Sequence, residues 1–388
     1  MSRRRFYTGG MSYTALARRY RPQDFDDAVG QEPVARTLRA AIDADRVAHA
    51  YLFTGPRGVG KTTMARIFAK ALNGNGTDEV NTAIMSGQDT DVVEIDGASN
   101  NSVEQARELI ANSVYRPMRG PYKIYIIDEV HMLSTAAFNA LLKTMEEPPE
   151  HVKFILCTTE SHKVPPTIQS RCQRFDFRAI PATVIGERLG AILKQEKVKA
   201  DAELVAMVAR LGNGSMRDAL SLLDRLMASG EKKLTVQLLE DLLGLAPREL
   251  VGRLIDSLVQ GEPAPALDAA GELVASGTSI DQTLEALIER LRDLMVLAAC
   301  GPETSLVELS GDARREEVER AKHFDPAGLV HMIALCEGVQ RAAKSSPNPR
   351  ALMDALVVRL AMTEKLADVT GILNQLQGSG MGAGAGKG

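Results

Sequence analysis

Tryptophan is absent from these 388 residues, and aromatic side chains make up only 4% of them. Base stacking on aromatic platforms is therefore a poor candidate for the main mode of contact with nucleic acid. Cysteine is nearly as scarce: Cys157, Cys172, Cys300 and Cys336 are scattered, with neither the paired spacing of a metal site nor the density of a disulfide scaffold. They read as reduced, partly buried thiols. No apolar run approaches the roughly 18 residues that a membrane span needs. The basic start, Met1-Ser2-Arg3-Arg4-Arg5, leads into no apolar segment, so no secretory signal is expected and the cytoplasm is the expected compartment. An excess of positive charge is missing as well. The net charge of −4 argues against coating nucleic acid by bulk charge, although a local basic patch remains compatible with it.

What is present is ordinary globular material, 45% hydrophobic and 25% charged, in a chain long enough for two or three domains. Residues 1–12 read as a flexible leader. From about Leu16 to Phe177, strand-like and helical segments alternate, the pattern of a parallel α/β domain. Ala50-Tyr51-Leu52-Phe53, Asp91-Val92-Val93-Glu94-Ile95, Ile124-Tyr125-Ile126-Ile127 and Phe154-Ile155-Leu156-Cys157 have the character of buried strands. Ser102-Val103-Glu104-Gln105 has the form of a capping box opening a helix. Beyond Pro181 the strand signals stop, and apolar residues at helical spacing predict a small bundle over 181–245. Residues 249–368 predict a separate all-α domain. Within it Pro263 and Pro265 are expected to mark looser structure, Asp281 to cap a long helix, and Asp325-Pro326 and Asn348-Pro349 to start two more. The glycine-rich end, 369–388, is expected to be disordered.

The strongest chemical signal is Gly55-Pro56-Arg57-Gly58-Val59-Gly60-Lys61-Thr62. Glycines at this spacing let successive backbone N–H groups turn inward around a polyphosphate, and the helix that follows adds its positive end. In such a loop the Lys61 ammonium neutralises β/γ-phosphate charge and Thr62 offers an oxygen to Mg²⁺; Thr63 follows on the same helix. A buried strand ends in Asp128-Glu129, delivering two carboxylates to the sheet edge where ligands of open α/β sheets bind. Asp128 is placed to hold the Mg²⁺ and Glu129 to polarise an attacking water. His131, a lone histidine, reads as a hydrogen-bonded structural residue. Thr158-Thr159 ends another strand, and Ser170-Arg171-Cys172 and Ser215-Met216-Arg217-Asp218 each place an arginine beside small residues. From chemistry alone, those threonines can be ordinary strand ends or polar groups reaching the sheet edge, and either arginine can be a surface charge.

Taken together these residues resemble the gamma/tau subunits of bacterial replicative clamp loaders, a family within the AAA+ ATPases. The resemblance rests on Tyr13–Pro22, Val29-Gly30-Gln31, His49–Phe53, the glycine loop, Asp128–Leu133, Asn139–Thr144, Glu146-Glu147-Pro148-Pro149, Ser170-Arg171-Cys172 and Ser215–Leu220. It covers about residues 13–245; residues 249–368 match mainly in length and helical character. It implies an AAA+ α/β domain over 13–180, a helical lid over 181–245 and a helical collar over 249–368. It also implies roles. Thr159, with Thr158 as the fallback, would sense the γ-phosphate, and Arg217 would reach the nucleotide from the lid. Arg171 would be an arginine finger acting on ATP held by a neighbouring subunit. Arg21, Pro22 and Val29 would line the adenine pocket.

Two departures stand out. Relatives carry a four-cysteine zinc module after the glycine-loop helix, whereas the corresponding stretch, Gly74 to Asp89, contains no cysteine, so no bound zinc is expected. Basic residues common in relatives after the second strand are replaced by Asn100, Asn101 and Ser102, leaving Arg107, so any contact with DNA phosphates there should be weaker. Longer tau-like relatives continue into segments that bind the replicative helicase and polymerase; here the chain stops soon after its third domain.

The expected function is that of an ATPase using ATP and Mg²⁺ to load a sliding clamp onto primer–template DNA in the nucleoid. Its expected partners are delta- and delta-prime-type subunits, further copies of itself, the clamp and DNA, with no membrane contact. The rival readings are another AAA+ DNA motor, for branch migration or unwinding, and a scaffold that binds nucleotide without hydrolysing it.

Overall fold

The computed structural model describes residues 14–362 except Asn75, Gly76, Ser305, Glu308 and Ser310. The leader at 1–12 and the glycine-rich tail at 369–388 lie outside the described residues. The chain forms two compact units, one ending at Leu234 and the other beginning at Thr235.

The first unit is built on five parallel strands: β1 (Ala50–Thr54), β2 (Val92–Asp96), β3 (Lys123–Asp128), β4 (Val152–Thr158) and β5 (Gln173–Asp176). Their order across the sheet is β2-β3-β4-β1-β5. Every residue of β1 and β4 is buried, because both inner strands are covered on both faces, and that is why they read as unbroken apolar runs. The helices up to the end of the sheet are α1 (Leu16–Arg19), α2 (Glu32–Asp43), α3 (Lys61–Asn73), α4 (Asp78–Ser86), α5 (Val103–Ser113), α6 (Thr135–Glu146) and α7 (Pro166–Gln169). On one face Leu38 of α2, with Met64 and Phe68 of α3, joins Tyr51 and Phe53; on the other, Leu109 of α5 and Phe138 and Leu141 of α6 cover Tyr125 and Phe154. The few aromatics are concentrated here. Tyr51 meets Phe68 edge-on at 4.9 Å between ring centres, and Phe53 meets Phe175 at 5.8 Å. The cysteine-free stretch after α3 carries α4, whose Val80 and Ile84 enter the same core.

Helix α5 opens with the expected capping box, Ser102 accepting from the Gln105 backbone N–H while Gln105 returns to that of Ser102. The loop between α5 and β3 is tied by Asp91, a buried carboxylate that accepts from the backbone N–H groups of Met118, Arg119 and Gly120 at 2.8, 2.7 and 3.2 Å. Burial raises the Asp91 pKa, but these three donors and nearby Lys123 outweigh it, and the net direction is downward from 3.8. A carboxylate depressed on folding stabilises fully above its unfolded pKa, and that contribution fades as pH falls through the folded value. Asp91→Asn should therefore lose about 2–4 kcal/mol at neutral pH, with the gap to wild type narrowing below pH 3.8. Urea unfolding followed from pH 6 downward checks this; a gap that widens on acidification would contradict it.

The first unit continues with α8 (Ala182–Gln195), α9 (Ala202–Leu211) and α10 (Met216–Met227), plus a short parallel pair, β6 (Lys199–Ala200) and β7 (Lys233–Leu234). The second unit holds α11 (Val236–Leu243), α12 (Arg248–Val259), α13 (Pro263–Ala275), α14 (Ile280–Cys300), α15 (Gly311–Ala321), α16 (Pro326–Ala343) and α17 (Pro349–Ala361). Leu284, Leu287, Leu291 and Leu294 of α14 form one buried stripe of its core. Asp325 and Asn348 cap α16 and α17 as their Asx-Pro pairs imply. Two expectations are corrected. Pro263 and Pro265 do not loosen the chain; they lie in the first turn of α13, where backbone N–H groups have no intrahelical acceptor to lose. The cap of α14 is Ser279, which forms a capping box with Gln282, and Asp281 lies inside the first turn, where its charge favours the helix dipole. Among the described residues no helix is long and apolar enough to cross a membrane.

Candidate active site

The sheet order decides what meets at its C-terminal edge. Strand β4 lies between β1 and β3, so the loop leaving β1, the end of β4 and the carboxylates ending β3 are neighbours there. Gly55 leaves β1 at φ +145°, and a Cβ on it would lie 2.3 Å from the Phe177 carbonyl oxygen. Gly58 stands at φ +76°, and its Cβ would lie 1.9 Å from Ser215 Oγ. The second constraint is tertiary: the glycine is needed because the N-cap of α10 presses onto the loop. Val59 is buried, Gly60 caps α3 from the left-handed region, and Arg57 is exposed at the loop's tip.

Lys61, 6% exposed, donates from Nζ to the carbonyl oxygens of Gly55 and Pro56, both at 2.7 Å. Burial pulls its pKa down, against the opposing pull of Glu129 and Asp128. Thr62 Oγ1 donates to Asp128 Oδ2 at 2.7 Å, joining the start of α3 to the end of β3. Burial pushes the Asp128 carboxyl pKa up, opposed by the Thr62 hydroxyl and the Glu129 backbone N–H. These two oxygens are hard donors of the kind that Mg²⁺ takes with water and phosphate oxygens, so the pair fits such a cation. The glycine loop beside it, where Gly55 and Gly58 leave no room for a Cβ, fits a polyphosphate.

Glu129 follows in the left-handed region, φ 44° and ψ 46°. Its Oε2 accepts from the Thr159 backbone N–H at 3.3 Å and from Thr159 Oγ1 at 3.1 Å. Thr158, fully buried as the last residue of β4, instead meets His131 Nδ1 at 3.0 Å. His131 is thus hydrogen-bonded, as a lone histidine is expected to be. Cys157, beneath the loop, is wholly buried, and its thiol pKa is pushed well up.

Beside the loop a cavity is lined by Arg21, Pro22, Val29, Gly58, Thr63 and Arg217, among others, so the residues expected at the adenine pocket and the lid arginine are brought together with the glycine loop. Arg217 approaches through its backbone as well, its N–H reaching the Gly58 carbonyl at 3.4 Å. Burial lowers the Arg21 pKa, and the neighbouring Arg66 and Arg217 add to it. Ala17, Tyr20 and Arg188 also line it, and none of them was assigned to it from sequence. Tyr20 and Ala17 precede Arg21 by one and four residues and could have been found by proximity; nothing local marks Arg188, which α8 brings in.

Arg171 is not part of this chain's own cavity. Its guanidinium donates to Glu146 Oε1 at 2.5 Å and to the Thr167 carbonyl at 2.6 Å, at the start of β5. The Asn101 backbone carbonyl accepts from the Ser134 N–H, while the Asn100 side-chain amide donates to the Asp96 carbonyl at 3.1 Å.

Three family models match in succession: DNA polymerase III, delta subunit, over residues 30–181; the ATPase lid domain of a DNA polymerase III clamp loader subunit over 184–232; and domain III of DNA polymerase III subunits gamma and tau over 234–376. The chain is 40% identical over 362 residues to DNA polymerase III subunit tau of Bacillus subtilis, covering 91% of itself and 64% of that protein. It is 40% identical to subunit tau of Escherichia coli, covering 77% of itself and 48% of that protein. It thus spans about half to two thirds of the length of these tau relatives. With subunit gamma of Buchnera aphidicola it shares 39% identity over 292 residues, covering 73% of itself and 80% of that protein. Among solved structures, the Holliday junction branch migration motor RuvB of Thermotoga maritima aligns over 68% of this chain and 90% of its own, at 19% identity and a TM-score of 0.45. The identity carried across most of the Buchnera gamma subunit, with the lid and domain III models in register behind the glycine loop, establishes that the chain belongs to the gamma/tau subunit family of DNA polymerase III.

Proposed function

We propose that the chain hydrolyses ATP at the Gly55–Thr62 loop and, within a clamp loader, uses that cycle to open a sliding clamp and close it around primer–template DNA. The observation that carries this reading is the 2.7 Å bond from Thr62 to Asp128, with Glu129 next in the chain and the Lys61 ammonium at the same sheet edge. Phosphate binding alone needs the loop but not the carboxylates; two acidic groups beside a polyphosphate are costly unless a cation and a water are to be handled there. Thr62 and Asp128 would hold Mg²⁺, which supplies charge neutralisation on the β- and γ-phosphates. Lys61 carries positive charge to the same phosphates, and Glu129 takes the proton of the attacking water. Arg21, Pro22 and Val29 hold the base. Arg217, on the N-terminal turn of α10, makes lid position depend on the nucleotide, and Thr159 senses the γ-phosphate.

Differential affinity for the two nucleotide states is what biases conformation. Copies of this chain with delta- and delta-prime-type subunits would form the assembly, with Arg171 facing a neighbour's ATP. The test is ATP turnover by the reconstituted assembly, with and without clamp plus primed DNA. Stimulation by the two together is expected. Turnover that ignores both would overturn clamp loading, and strand displacement without any clamp would favour a motor instead.

A further inference from the structure

The cavity beside the glycine loop carries charge of one sign. Its lining holds three guanidinium groups, Arg21 after α1, Arg188 on α8 and Arg217 on α10, and no aspartate or glutamate. Among the described residues none of these three side chains is hydrogen-bonded or ion-paired; the bonds of Arg21 and Arg217 run through their backbones. Neighbouring arginines are treated differently. Arg66 meets both carboxylate oxygens of Glu94 at 2.6 and 2.7 Å, and Arg19 meets Glu196 at 2.7 Å. A half-buried guanidinium without an acceptor is costly, and like charges around one cavity repel one another as well. Such a wall calls for an anion.

Arg188 owes its place to the helix beneath it. Tyr20 shares the cavity lining with Arg188, whose charge opposes the rise that burial and Glu196 give the Tyr20 pKa. The Tyr20 hydroxyl donates to Glu196 on the same helix, about two turns beyond Arg188. Arg19 holds the same carboxylate oxygen. The segment that ends in Arg21 is thus anchored to α8 through Glu196, and Arg188 is held beside the cavity by an anchor that does not use its own charge. Half-buried Arg21 and Arg188 line one space from two elements, and α10 adds Arg217.

We infer that Arg188 is a further nucleotide-binding residue: from α8 it donates to the phosphates, and the polyphosphate balances charge that the cavity wall leaves unpaired. The grip on the nucleotide then comes from two helices, α8 and α10, and not from Arg217 alone. Charge-assisted bonds of this kind are the strong ones, and a guanidinium suits phosphate oxygens in geometry as well as charge. The inference rests on the cavity holding the nucleotide whose phosphates the Gly55–Thr62 loop cradles.

Equilibrium binding of a fluorescent ATP analogue to the full chain, with adenosine as competitor, tests this beside thermal unfolding of the nucleotide-free chain. Arg188→Met keeps the aliphatic stem and removes the charge. It should weaken binding of the analogue roughly tenfold or more, as loss of a charge-assisted bond does, and leave the affinity for adenosine unchanged. Its thermal midpoint without nucleotide should equal or exceed that of wild type, because one of three like charges is gone. Arg188→Lys should regain most of the lost affinity. Unchanged affinity for the analogue in Arg188→Met overturns the proposal. An equal loss for analogue and adenosine does so too, since it would place the side chain at the base. So does a lowered midpoint together with an affinity that Arg188→Lys fails to restore, the signature of packing alone. A wild-type chain that binds no ATP analogue would instead overturn the cavity as a nucleotide site, and the two failures are separately visible.

Discussion

Glu129→Gln should lower ATP turnover by roughly 10²- to 10⁴-fold while leaving nucleotide binding close to wild type. The substitution keeps the side chain's shape and an oxygen able to accept from Thr159, whose N–H and Oγ1 lie at 3.3 and 3.1 Å, so the local fold is retained. What it removes is the proton acceptor. Binding should survive because the phosphate cradle is made elsewhere, by the backbone of Gly55–Gly60 and by Lys61. Single-turnover hydrolysis beside equilibrium binding of a fluorescent nucleotide separates the two. A variant that lost affinity and kept its rate per bound nucleotide would place Glu129 in binding and leave the base to be found.

Arg171→Ala should cost about as much, on the order of 10³-fold or more in stimulated turnover, if the guanidinium completes a neighbour's site. Among the described residues it donates to Glu146 and Thr167 and does not line the cavity beside the glycine loop, so the variant's ATP affinity should not change. Losing the half-exposed pair with Glu146 should cost stability no more than about 1 kcal/mol. Location in trans has a sharper test. Assemblies mixed from Glu129→Gln and Arg171→Ala chains contain some interfaces with a native base on one side and a native arginine on the other. Such mixtures should recover a measurable part of the turnover that neither variant shows alone. An arginine acting in cis predicts no recovery, since every chain then carries a defect in its own site.

The local features were legible because they are made by neighbours in sequence. A glycine loop between a buried strand and a helix, a capping box at Ser102–Gln105 and the Asx-Pro starts of α16 and α17 each depend on contacts within a few residues. Where two local signals competed, the sequence reading failed: Ser279 and Asp281 are both good caps, and only Ser279 has a Gln at the third helical position to complete the box. The prolines of α13 were misread because proline breaks a helix interior but suits its first turn, and the difference is position alone.

By itself, then, the sequence determined the glycine loop, the two acidic groups at the end of a buried strand and the run of helices that follows. Backbone periodicity and short-range hydrogen bonding suffice for all of these. Only the tertiary structure decided their relations. Inserting β4 between β1 and β3 sets Thr158 and Thr159 between loop and carboxylates, and folding α10 back puts Ser215 against Gly58 and Arg217 into the lining of the cavity beside it. It also decided that His131 lies between Thr158 and Glu160. Such contacts cross strand order and chain separation, and no local pattern of residue types encodes them.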